Sequence, residues 1–125
     1  MSNKEFLKIV SELNYAVTVI LKSKTEEYAL DDNDRLKAFK RVWLKNSKEN
    51  PREVLWNQMA KHLDSLYDYT KQDDKFNYNN IIKWKDKIVD TIIYLYLLYA
   101  LAVESAILEA ERIDDDELNK ESENV

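Results

Sequence analysis

Thr91 to Val103 reads TIIYLYLLYALAV, thirteen consecutive residues without a formal charge. The stretch sits inside a longer segment predicted as one helix, capped by Asn79 or Asn80 and running through Trp84 to about Arg112. Thirteen residues fall short of the roughly 18 to 20 that a helix needs to cross a bilayer, so no membrane partner is expected. A helix apolar on every side is instead the surrounded, central member of a helical core. Four helices of one chain leave part of it uncovered, and a homodimer that buries the excess is expected. Tyr94, Tyr96, Tyr99 and, before the loop, Tyr69 suit such an interface as well as a core.

Working outward, Asn50-Pro51-Arg52-Glu53 is the clearest helix start in the chain. Asn suits the cap, Pro the first turn and Glu the third helical position. The helix it opens should bury Leu55, Met59, Leu63, Leu66 and Tyr67 and end near Tyr69, with a polar connection over residues 70–79. At the other end of the chain, Ser2 and Glu5 have capping-box spacing. After them Phe6, Ile9, Val10, Leu13, Val17 and Ile20 recur at three- and four-residue steps, the buried face of a helix over residues 3–24. A shorter pattern of Leu36, Phe39, Val42 and Trp43 marks one more helix. The expected fold is all-α: a dimeric four- to five-helix bundle with a long apolar C-terminal helix. Residues 1–112 form its single domain and 113–125 an acidic, flexible tail.

Composition narrows the function classes. The 125 residues support one domain with a real core and contain no glycine and no cysteine. Phosphate loops need glycine for close backbone approach or positive φ, so a P-loop, a dinucleotide fingerprint and a nucleophile elbow are excluded. Disulfides, Cys-ligated zinc and thiol catalysis are excluded with the cysteines. The formal charge of −5 is uneven. Residues 104–125 hold nine acids against Arg112 and Lys120, which leaves the body at +2. No dense basic patch signals nucleic-acid binding. Glu5, Lys8 and Glu12 interrupt the first apolar stretch, so no signal peptide is read and a cytoplasmic location is expected.

Four polar clusters have chemical potential. Asp86 and Asp90 stand one helical turn apart on one face, a spacing that suits a shared divalent cation. Lys87 equally offers Asp90 an ion pair, although a charge immediately before the apolar run is costly unless partnered. Lys61 and His62 lie outside and at the edge of their helix's buried arc, where a histidine is either a hydrogen-bonded structural residue or a ligand-binding, acid–base group. Arg35, beside Asp34 and near Lys37, Lys40 and Arg41, is either a phosphate grip or a first-turn surface cation. Glu26 and Glu27 are by themselves a charge pair at a helix end.

The order of motifs adds direction. Tyr28 is followed by Asp34-Arg35-Leu36-x-x-Phe39-Lys40, Val54-Leu55-Trp56 and Lys61-His62-Leu63-Asp64-Ser65. Trp84-x-Asp86-Lys87-Ile88-x-Asp90 and Tyr94-x-x-Leu97-Leu98-x-Ala100-Leu101 complete the series. Over residues 24–104 this set resembles a family of small bacteriophage-encoded proteins, itself similar to the all-α nucleoside triphosphate pyrophosphohydrolases of the MazG and dUTPase type. In that superfamily helices present acidic pairs that hold magnesium on a nucleotide's phosphates. The resemblance implies magnesium at Asp86 and Asp90, with Glu26 and Glu27 as part of the earlier acidic pair. It implies phosphate or base contacts from Arg35 and Lys61, and catalytic roles for His62 and Asp90. Three positions depart from the family pattern: Ile93 replaces an Asn, Ala29 a Gly, and Lys87 the Glu of a Glu-x-x-Asp motif. Two functions follow as expectations: a nucleotide-handling protein, with or without hydrolysis, or a non-enzymatic phage protein that binds a host factor through its helical surface or acidic tail.

Overall fold

The structure is a computed structural model that describes residues 1–28, 50–72 and 77–123, with residues 24–28 and 123 as backbone alone. Three helices and no strand occur among the described residues: α1 (Asn3–Tyr28), α2 (Pro51–Thr70) and α3 (Tyr78–Glu123). The expected helix around Leu36 to Trp43 lies outside the described residues.

Local chemistry sets the helix ends. The Ser2 amide donates to Glu5 Oε2 at 2.7 Å and the Glu5 amide to Ser2 Oγ at 3.1 Å, a reciprocal capping box. Asn50 has extended backbone (φ −71, ψ 118) and its side chain accepts the Arg52 amide, with Pro51 at the first helical position. Proline loses nothing there, because the first amides of a helix have no intrahelical acceptor. For α3 the cap is Asn77, whose Oδ1 accepts the Asn80 amide at 3.0 Å. The cap thus falls earlier than the expected Asn79 or Asn80, and those two belong to the helix.

α3 is the spine, packed against both of the other described helices. α2 runs antiparallel along it: Leu55 meets Leu101, the rings of His62 and Tyr94 lie 5.0 Å apart, and those of Tyr69 and Trp84 lie 5.6 Å apart. Arg52 Nη1 ties the far end by donating to Ser105 Oγ at 2.7 Å, and that hydroxyl donates in turn to the Leu101 carbonyl at 3.0 Å. α1 packs its middle against α3 through Val17, Val89 and Ile93, with Leu13, Ile20 and Leu21 around them. Leu97 touches both clusters and joins them into one core. Leu55, Met59 and Val17 are fully buried, and each such side chain contributes about 1.5–3 kcal/mol of transfer free energy.

Several expectations of burial change. Leu63 and Tyr67 of α2 are exposed, and α3 is central but carries exposed Leu95, Tyr96, Tyr99 and Val103, with α1 and α2 packed against it among the described residues. The first half of α1 is open as well, with Phe6, Ile9 and Val10 exposed, because α1 meets α3 only from about Leu13 onward. α3 continues to Glu123 instead of ending near Arg112. Arg112 supports the extension by pairing with Glu109 at 2.7 Å and with Asp116 at 2.7 Å, one turn on either side.

The length of α3 also alters the reading of its hydropathy. An 18-residue window reaches a mean hydropathy of 1.8 with 17% of it buried, so α3 is long and apolar enough to cross a membrane by length and composition. The thirteen-residue count stops at Glu104, but that single charge is followed by Ala106, Ile107 and Leu108 on the same helix.

Candidate functional site

The antiparallel pairing of α2 and α3 brings His62, from one polar cluster read in the sequence, to Tyr94, one turn beyond Asp90 of another. His62 is half-buried on α2 and faces Tyr94 of α3, ring centroids 5.0 Å apart at 44°. Asp90 precedes Tyr94 by one turn on the same side of α3 and is also half-buried. Burial, and after it the negative charge of Asp90, push the Tyr94 phenol above its ordinary value. A negative charge disfavours a second one nearby, so carboxylate and phenol stay close while the phenol keeps its proton.

His62 Nδ1 is buried and has no hydrogen-bond partner among the described residues. An unpaired polar atom of this kind costs about 1–3 kcal/mol. A ligand group or a water that reached Nδ1 would recover this cost.

Asp86 stands one turn before Asp90 and is exposed. Among the described residues, ion pairs join Arg112 to Glu109 and Asp116, and none joins Lys87 to Asp90. Thr91 is the buried polar residue at this level, and its hydroxyl donates to the Lys87 carbonyl at 2.8 Å. Lys61 adjoins His62 in sequence, but its side chain is exposed. Glu26 and Glu27 fall in the last turn of α1 with side chains outside the description, and Arg35 lies outside the described residues.

No group of three or more His, Cys, Asp or Glu side chains that could hold a metal forms among the described residues. A closed protein cage is not what magnesium requires. It is commonly held by one or two carboxylates with phosphate oxygens and water completing the octahedron. Asp86 and Asp90 fit that pattern and supply the carboxylates only.

Two features were missed in the sequence. Tyr94 suits a core or an interface by its sequence, and its i, i+4 spacing from Asp90 also places it beside a candidate ligand. The second is an open groove of about 320 Å³ at the start of α2, lined by Asn50, Arg52, Glu53, Trp56 and Asn57. Arg52 is held there by Ser105, a contact across 53 residues that no local pattern signals. Comparison with family models, curated proteins and solved structures finds no match to the chain.

Proposed function

We infer that this chain is a nucleotide-handling protein that resembles the all-α nucleoside triphosphate pyrophosphohydrolases. The observation that supports the reading is the contact of His62 with Tyr94, one turn from Asp90, where α2 packs on α3. These residues come from separate motifs of the resembling set, roughly 30 positions apart, and helix pairing alone aligns them. In this reading Asp86 and Asp90 hold magnesium together with the nucleotide's phosphates, and Glu26 and Glu27 complete the acidic set. The metal supplies charge neutralisation and orientation of the phosphates. Lys61 and Arg35 contact phosphate, and His62 orients a nucleotide group or moves a proton through its unpaired Nδ1. Binding, with or without hydrolysis, satisfies this account. The four- to five-helix bundle, pairing of two chains and a cytoplasmic location belong to the same reading.

The test is a thermal melt of the full chain with a panel of nucleoside triphosphates, with and without magnesium. A ligand that binds only the folded state stabilises it by about 2.7 kcal/mol at a hundred times its Kd. At least one nucleotide should raise Tm, and more so with magnesium. No shift with any nucleotide overturns the reading.

The exposed apolar side chains of α1 and α3 favour a second reading, a protein that binds a host factor through its helical surface. Capture of one purified partner by the full chain, lost when Phe6 and Ile9 are both changed to Ser, would favour it. Equal capture by the variant would dismiss that surface.

A further inference from the structure

The groove at the start of α2 falls outside the site described above. Its volume of about 320 Å³ lies at the low end of the range for small-molecule sites, about 300–1,000 Å³. At about 100° per residue, Arg52, Trp56, Glu53 and Asn57 follow one another in that order around the helix. Trp56, 51% exposed, therefore stands between a guanidinium and a carboxylate.

Arg52 is fixed from across the helix pair. Its Nη1 donates to Ser105 Oγ at 2.7 Å. The Ser105 hydroxyl gives its own proton to the Leu101 carbonyl at 3.0 Å, so towards Arg52 it acts only as acceptor. The other guanidinium nitrogens carry no hydrogen bond among the described residues, and neither Arg52 nor Glu53 has an ion-pair partner there. A cation already held in place, with donors to spare, loses little further side-chain freedom when a ligand arrives. The helix end itself offers little to an anion. Pro51 has no amide proton, and the Arg52 and Val54 amides donate to the Asn50 side chain at 3.0 Å and to its carbonyl at 3.1 Å.

Charge and shape decide the ligand. One cation and one anion leave the lining neutral, which suits an uncharged polar ring better than a phosphate or a carboxylate. An exposed indole is a stacking face for any flat heterocycle. Arginine on one side of it needs acceptors, and glutamate on the other needs donors. Guanine meets both demands. Its O6 and N7 accept, the commonest edge for arginine, and its N1–H and N2–H₂ donate. Adenine sets an N6–H₂ donor beside N7, against the guanidinium.

We propose that this groove binds a guanine base, stacked on Trp56, with Arg52 on O6 and N7 and Glu53 on the N1–H and N2–H₂ donors. It goes beyond the nucleotide site on Asp90. Ser105, which holds Arg52, lies roughly 22 Å along α3 from Asp90 at 1.5 Å per residue, so the two sites are separate.

The test is calorimetric titration of the full chain with guanosine, which has no phosphate, beside adenosine and inorganic phosphate. Guanosine should bind one to one and at least about fivefold more tightly than adenosine, the smaller end of what a bidentate base contact supplies. Trp56→Ala, at an exposed position, should keep the circular dichroism of the parent and weaken guanosine by about 5- to 140-fold. Trp56→Phe should restore part of that loss, and Arg52→Lys should erase the preference over adenosine. No saturable binding of guanosine overturns the proposal. So does equal affinity for the two nucleosides, which would mean stacking without edge contacts. Displacement of guanosine by phosphate would make the groove an anion site and overturn it as well. Asp90→Asn should bind guanosine as the parent does. Loss of binding in that variant would put the base at Asp90 and overturn the second site. A magnesium-dependent triphosphate shift in a chain that ignores guanosine leaves the Asp90 reading standing and sinks this one.

Discussion

Leu55 is the side chain on which the α2–α3 pairing rests most heavily. It is fully buried and packs on Leu101, itself 2% exposed, with Leu97, Leu98 and Ala100 around them. Leu55→Ala removes three carbons from this contact and leaves a cavity between two rigid helices. The loss combines transfer free energy and cavity cost, about 2–5 kcal/mol for a buried leucine. Domains of this size are stable by only about 5–15 kcal/mol, so the change is a large part of the whole. In urea, with m near 2 kcal/mol/M, the unfolding midpoint should fall by about 1–2.5 M at fixed protein concentration. Leu7→Ala, at a site 54% exposed, is the control and should stay within about 0.5 kcal/mol of the parent. Equal losses for the two variants would refute the packing argument, and with it the alignment of His62 on Tyr94.

Two further predictions follow from the same contacts. Asn50→Ala removes the acceptor of the Arg52 amide and should cost about 1 kcal/mol in urea unfolding, whereas Asn50→Gly should cost only a few tenths; equal costs would mean that the side-chain cap is not the source. Tyr94 holds its proton more tightly in the folded chain than in the unfolded chain, where a tyrosine titrates near 10. Its contribution is therefore complete below about pH 10 and is lost as pH rises through the folded-state value. Tyr94→Phe should flatten the decline of Tm as the pH rises above about 10, and parallel declines in the two proteins would rule Tyr94 out as the cause.

Helix starts with a side-chain signature were legible in the sequence. Ser2 with Glu5, and Asn50 before Pro51, act through bonds to amides two or three residues away, so local spacing contains the whole interaction. The start of α3 was placed late because Asn77, Asn79 and Asn80 are chemically equivalent, and only the backbone decides which of them caps. The apolar periodicity of α1 marks a face in the sequence but does not fix how much of it is covered. Phe6 and Val17 lie on the same stripe, yet Val17 meets Val89 and Ile93 while Phe6 meets solvent. Periodicity states which residues prefer burial; the reach of the neighbouring helix states which achieve it. The same limit applies to the site. Asp86 and Asp90 were visible as an i, i+4 pair, whereas the approach of His62 to Tyr94 depends on the pairing of α2 with α3, a non-local fact.

The proposed nucleotide site depends on magnesium through Asp90. Its most direct measurement is the nucleotide-induced rise in Tm for Asp90→Asn beside the parent chain, each with and without magnesium. The variant should fold, keep any metal-independent shift and lose the magnesium-dependent part. A variant that retains the full magnesium effect contradicts the account.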